Sequence, residues 1–261
     1  MEYATLHVEQ QGPLVQITLN RPEVHNAFDE VLIAELTDAF ARLGAQEDVR
    51  VVVLQGAGAS FCAGADLNWM RRVADYSHAQ NLEDAAELER MFATIATCPA
   101  VTIARVHGAA IGGGAGLVAV ADIAIASEET VFAFSEVRLG IAPAVIAPYV
   151  LQKVGAGVAR AWFVTGERFR AGDAWRAGLV QQVVPITDMD AAVLSRVKAV
   201  LQAGPGAVAA VKRLLREITG LTPEQASTLT TACIATLRVS PEGQEGIRAF
   251  LEKRRPRFAQ E

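Results

Sequence analysis

The segment Arg105-Val-His-Gly-Ala-Ala-Ile-Gly-Gly-Gly-Ala-Gly-Leu117 sets three consecutive glycines, Gly112, Gly113 and Gly114, between an apolar strand-like run and what reads as a buried helix. Glycine tolerates φ > 0 and brings main-chain N–H groups to a surface with no Cβ in the way. A helix that starts at such a joint adds its positive N-terminal end. The result is an anion site made of backbone, able to stabilise a developing oxyanion. Glycine-rich joints more often make tight turns, so the reading depends on a second segment.

That segment is Gly58-Ala-Ser-Phe-Cys-Ala-Gly-Ala-Asp-Leu67, which follows Val49-Arg-Val-Val-Val-Leu54 and precedes an amphipathic helix starting near Leu67. A β-rich apolar run, a small-residue turn and a helix make half a βαβ unit. The same order recurs where Ala100-Val-Thr-Ile-Ala-Arg-Val106 leads into the glycine joint. Two such turns side by side at one sheet edge would let two N–H groups share one oxygen.

Working outward, residues 3–18 alternate apolar and polar about Gly12-Pro13 and predict a pair of strands. Asn20-Arg-Pro-Glu-Val-His-Asn26 reads as a loop, and residues 29–43 as a helix capped by Asp29. A long helix is expected across 82–97. A third strand, Ile123-Ala-Ile-Ala126, is followed by Thr130-Val-Phe-Ala-Phe134 and Glu136. After about residue 187 the pattern turns to helix formers, with helices expected at 191–203, 207–218 and 223–239. The class is α/β, with a core over 1–190 and a helical C-terminal region over 191–261.

The 261 residues suffice for one large domain with a sizeable core. A chain that is 51% hydrophobic and 20% charged buries much apolar surface, part of it between subunits. No apolar run reaches the roughly 18 residues of a membrane span, and Met1-Glu-Tyr-Ala-Thr5 lacks the basic and apolar regions of a signal peptide. We expect a cytoplasmic protein without membrane association. A net charge of −5 argues against nucleic acid as a main ligand. Cys62, Cys98 and Cys233 are odd in number and show no CxxC spacing, so neither a disulfide framework nor a metal site is indicated. Cys62 lies in the first turn and reads as a packing residue rather than a nucleophile, with no histidine near it in sequence.

Five pieces carry a family resemblance: Leu19-Asn-Arg-Pro-Glu-Val-His-Asn-Ala27, Ser60-Phe-Cys-Ala-Gly-Ala-Asp66, Val106-His-Gly-Ala-Ala-Ile-Gly-Gly-Gly114, Ala121-Asp-Ile-Ala-Ile-Ala126 and Phe134-Ser-Glu-Val-Arg-Leu-Gly140. In that order the chain resembles the enoyl-CoA hydratase/isomerase (crotonase) superfamily nearly end to end. Asp66-Leu-Asn-Trp-Met70, Ala142-Pro-Ala-Val-Ile-Ala-Pro148 and Val239-Ser-Pro-Glu-Gly-Gln-Glu-Gly246 are most similar to bacterial methylglutaconyl-CoA hydratases of branched-chain catabolism. The resemblance implies a crotonase-type spiral of repeated ββα units with a helical C-terminal region, assembled as a homotrimer or a dimer of trimers. It implies an acyl-CoA substrate and no cofactor beyond the coenzyme A that the substrate carries.

By that resemblance the oxyanion donors are the N–H groups of Ala65 and Gly113, and Glu136 is the acid/base. Substrate-binding positions carried over are Glu23, Val24, Ala27, Ala63, Gly64, Asp66, Leu67, Gly112, Gly116 and Lys253. Lys253 is the candidate phosphate contact within the basic end Arg248-Ala-Phe-Leu-Glu-Lys-Arg-Arg-Pro-Arg257, which also reads as a solvated tail. One departure matters: relatives with hydratase activity commonly carry a second Glu where this chain has Gly116. That favours a one-base mechanism, leaves an isomerase as the alternative enzyme, and is expected to enlarge the pocket. His107 reads as a hydrogen-bonded structural residue and Asp66 as a helix cap. Trp69-Met-Arg-Arg-Val73 is expected to line the acyl end, with Arg71 or Arg72 available to a distal carboxylate. The competing class is a catalytically silent acyl-CoA-binding or RNA-binding protein.

Overall fold

The repeated unit of strand, strand and helix divides its two strands between two sheets. In the computed structural model, which describes residues 2–260, β4 (Val101–Val106) lies in a six-stranded sheet and β5 (Ala109–Ile111) in a three-stranded one. Helix α4 (Gly113–Val120) follows, and then β6 (Ile123–Ser127) rejoins the large sheet while β7 (Val131–Ala133) rejoins the small one. Met1 and Glu261, at the outer ends of the two expected regions, lie outside the described residues.

The large sheet runs β1-β2-β3-β4-β6-β9, with β1 (Leu6–Gln11), β2 (Leu14–Leu19), β3 (Val51–Gly56) and β9 (Gln182–Val184). Only the expected hairpin β1–β2 is antiparallel; β2–β3, β3–β4, β4–β6 and β6–β9 are parallel. Parallel central strands are covered on both faces, which is why β3 reads as the continuous run Val51-Val-Val-Leu54 rather than an alternation. Val52, Leu54, Ala104 and Val106 face the main core. Their neighbours Val51, Val53, Val101 and Ile103 face the other way, onto Met189, Val193, Val197 and Leu201 of α7 (Met189–Leu201). The expected boundary at 190 therefore falls in the first turn of a helix that covers one face of the large sheet.

On the other face lie α1 (Glu30–Gly44), α3 (His78–Thr97) and the buried α4. Asp29 caps α1 as expected, its side chain accepting from Leu32 N at 2.9 Å. Between them the short α2 (Leu67–Val73) starts at the first site turn. Beyond β7 come α5 (Ala147–Thr165), interrupted at Gly155 by φ of 73°, then β8 (Arg168–Arg170) and α6 (Ala171–Arg176). The expected C-terminal helices are α7, α8 (Pro205–Ile218) and α9 (Pro223–Val239), followed by α10 (Pro241–Leu251).

Arg50 ties this region to the sheet. Its buried guanidinium donates to Val200 O, Leu201 O and Ala203 O at the C-terminal end of α7 and to Phe258 O. A cation there meets the negative end of the helix.

Candidate active site

The two turns lie side by side, stitched by backbone. Phe61 N donates to His107 O at 2.9 Å, Cys62 N to Ala109 O at 3.0 Å, and Ile111 N to Cys62 O at 3.0 Å. A Cβ at Gly114 would overlap Cys62 O, so the third glycine is required for this approach. His107 takes the structural role expected of it, with Nε2 2.9 Å from Gly58 O in the neighbouring turn.

The direction of the Ala65 N–H follows from its neighbours. Phe28 N donates to Gly64 O at 2.6 Å and Asp66 N donates to Phe28 O at 2.7 Å. In a parallel bridge of this kind the flanking residues bond the partner, and the N–H of Ala65 itself points to the opposite side. Gly113 opens α4, where the first N–H groups have no partner within the helix. Both residues line one cavity of about 720 Å³. Ala65 and Gly113 thus border a single chamber.

Glu136 lines the same cavity from the turn of 3₁₀ helix Glu136–Leu139. Its Oε2 is buried and has no hydrogen-bond partner among the described residues. Burial lifts the carboxyl above the ordinary carboxylate range, opposed by its own backbone N–H. Gly112 brings the carboxylate and the glycine-rich turn together. At φ 54° and ψ −121° it holds a conformation that side-chain-bearing residues avoid, and a Cβ there would lie 3.0 Å from Glu136 Oε1.

Asp66 is the expected cap of α2, with Oδ1 accepting from Asn68 N and Trp69 N at 2.7 and 3.2 Å. Burial alone would raise its carboxyl, but those N–H groups and Arg21 hold it below the usual value. Arg21 reaches Asp66 Oδ2 at 3.1 Å, Asp29 Oδ2 at 2.9 Å and Ala27 O at 2.6 Å. Asn26, fully buried at φ 57°, donates to Ala57 O and Ser60 O, each at 2.8 Å, and accepts from Arg21 N at 2.9 Å. Sequence reading missed this clamp, although Arg21 and Asn26 both stand in the quoted loop. Burial pushes the Cys62 thiol up to about 12, which keeps it protonated and consistent with packing.

Of the remaining expected substrate positions, Ala63, Gly64 and Gly112 line the cavity. Glu23, Val24, Ala27, Asp66, Leu67 and Gly116 lie outside its wall, and Lys253 is exposed beyond the end of α10. Two expectations are corrected. Trp69, Met70 and Val73 line the cavity but Arg71 and Arg72 do not. Arg72 binds Glu30 at 2.6 and 2.7 Å, and Arg71 binds Asn68 Oδ1 at 2.8 Å, because those side chains leave α2 on its solvent side. Nor does Gly116 enlarge the pocket. A Cβ there would overlap Ile146 Cγ2 and lie 3.0 Å from Phe92 Cζ, so two apolar side chains already fill that space. Leu88, Leu139, Ile141, Val145 and Ile146 complete an apolar wall, and Asp84 of α3 adds a carboxyl that the sequence did not single out.

Ala65, Gly113 and the raised carboxyl of Glu136 thus border one largely apolar chamber in an α/β fold. The profile of the enoyl-CoA hydratase/isomerase family matches residues 9–261. A crystal structure of an enoyl-CoA hydratase from Shewanella pealeana superposes with a TM-score of 0.94 at 41% identity, covering 98% of this chain and 96% of that one. The enoyl-CoA hydratase of Mycobacterium smegmatis superposes with a TM-score of 0.93 at 35% identity over 98% and 99%. A Rhodobacter capsulatus protein named "probable enoyl-CoA hydratase" is 34% identical over 99% of both chains. The chain belongs to the enoyl-CoA hydratase/isomerase family, and its fold is the crotonase-type α/β spiral of ββα units.

Proposed function

We propose that this protein hydrates an enoyl-CoA thioester, with Glu136 as the single acid/base and the N–H groups of Ala65 and Gly113 as the oxyanion site. The observation that carries the reading is the buried, unpartnered Oε2 of Glu136 in the cavity those two residues also line. Glu136 takes a proton from water as the water oxygen bonds to the β carbon. The electron pair of the double bond moves onto the thioester oxygen, where two N–H groups stabilise it. The protonated Glu136 then delivers its proton to the α carbon as the carbonyl re-forms. Water is added across the double bond, and no group beyond substrate, water and this chain enters the balance.

Glu136 must be ionised to accept the first proton and protonated to return it, so a carboxyl raised toward neutrality serves both steps. The apolar wall supports a branched acyl chain. It gives no support to the carboxylated, methylglutaconyl-like chain, since none of the residues lining the cavity is basic. One observation favours the isomerase as a second reading: the place of a second carboxylate, at Gly116, is filled by Ile146 and Phe92. We carry over the homotrimer or dimer of trimers as the assembly, with Lys253 as the phosphate contact. No helix among the described residues is long and apolar enough to cross a membrane.

The test incubates purified protein with crotonyl-CoA and with branched enoyl-CoA thioesters and weighs the products. Hydration adds one water, whereas isomerisation leaves the mass unchanged and would favour the second reading. Glu136→Gln should lower turnover by about a hundred-fold or more with little change in thioester affinity. Near-normal turnover of the variant removes Glu136 from the mechanism.

A further inference from the structure

We propose that Asp84 selects the charge of the acyl group, admitting uncharged chains to the cavity and repelling those that end in a carboxylate. Asp84 stands in the second turn of α3 and lines the cavity together with Trp69, Val73 and Leu88. Among the described residues its carboxyl has one hydrogen-bond partner, Trp69 Nε1 at 3.2 Å. The indole N–H thereby holds the carboxyl on a wall that is otherwise apolar.

Among the described residues lining the cavity, no positive charge offsets it. The two charged residues of the cavity lining are Asp84 and Glu136, both acidic. Arg72 on α2 is occupied by both oxygens of Glu30, and Arg71 by Asn68. Glu30 itself acts on Asp84 with the same sign of charge. A carboxylate brought in by an acyl chain would meet like charge in a partly desolvated chamber, where repulsion is stronger than in water. An alkyl branch of the same shape would meet Trp69, Val73 and Leu88. The carboxyl works as a device against the wrong ligand, placed beside surface that attracts the right one.

The inference rests on the acyl-thioester reading above, so its test uses saturated thioesters, whose binding needs no turnover. Glutaryl-CoA ends in a carboxylate, and 5-methylhexanoyl-CoA replaces its two oxygens with two methyl groups. Dissociation constants for both are measured by calorimetry on the wild type, Asp84→Asn and Asp84→Leu. The asparagine keeps an acceptor for the Trp69 N–H and removes the charge. We expect Asp84→Asn to bind glutaryl-CoA about ten-fold more tightly than the wild type, with less than about a two-fold change for 5-methylhexanoyl-CoA. The intrinsic preference for alkyl over carboxylate is common to both proteins and cancels in the comparison. An unchanged ratio between the two thioesters overturns the inference. Equal weakening of both in Asp84→Asn also overturns it, because it leaves Asp84 only the role of holding Trp69. Asp84→Leu should narrow the ratio as well, which separates loss of charge from loss of the hydrogen bond. If the wild type binds neither thioester, the acyl-thioester reading itself falls and the inference falls with it.

Discussion

At Glu136 the need for function and the need for stability pull in opposite directions. Burial raises its pKa in the folded protein above the unfolded value, so the folded state binds the proton more tightly. Its contribution to stability is fully present below the unfolded pKa and is lost as pH rises through the folded pKa. Glu136→Gln removes that dependence. Alongside its loss of turnover we expect a higher Tm than the wild type at pH 7, with the difference shrinking toward pH 4. A variant less stable than the wild type at pH 7 contradicts the burial reading. Gly113 is constrained by a ring rather than by a charge. A Cβ there would lie 2.8 Å from Phe28 Cε2, and Phe28 is itself fully buried, edge-on to Phe92 at 6.3 Å between centroids. That approach is too close for any Cβ, so Gly113→Val must displace the ring or the start of α4 with its N–H. Losing a comparable donor costs about 3–4 kcal/mol of transition-state stabilisation. Steady-state kinetics on the folded variant should show a loss of that size in kcat, and unchanged turnover would remove Gly113 from the oxyanion site.

At the scale of elements, the site is a junction held by a loop, residues 20–27, that lies outside the cavity wall. Asn26 joins residues 20–27 to the Ala57–Ser60 stretch through two hydrogen bonds and holds the loop itself through a third from Arg21 N, and its φ of 57° is one that asparagine tolerates better than alanine. Asn26→Ala leaves the buried carbonyl of Ser60 and the part-buried Ala57 carbonyl and Arg21 N–H without their partner. Unfolding in denaturant should show a loss of about 2–4 kcal/mol, accompanied by reduced turnover. A smaller loss with full activity would make the clamp dispensable. The strand–turn–helix order at both turns, the caps Asp29 and Asp66 and the buried helix after the glycines were legible from local pattern, since each depends on residues within a turn or two of one another. Helix α5 was not, because Gly155 breaks the periodicity at its centre. Helix α10 was not separated as an element: its last turn, from Arg248, was read as the start of a basic end, and Phe250 and Leu251 there remain 82% and 74% accessible.

For the whole molecule, that exposure becomes an argument about assembly. Phe250 and Leu251 on α10 and Val239 at the end of α9 form apolar surface that one chain leaves in water. Sedimentation equilibrium should find a trimer or a dimer of trimers, and Phe250→Asp should shift the population to smaller species. A monomeric wild type excludes the assembly. The sequence by itself determined the α/β class and the two small-residue turns, because backbone geometry and hydrophobic period are written in neighbouring residues, whereas Glu136 was singled out by the family resemblance. Only the tertiary structure decided what surrounds them. It turned Arg71 to Asn68 and Arg72 to Glu30, filled the space beside Gly116 with Ile146 and Phe92, and brought Asp84 from α3 against Trp69. The physical reason is that local pattern sets which face of a helix is apolar. Which distant side chain fills the facing space is settled by the packing of elements far apart in sequence, in an interior dense enough that each gap has one occupant.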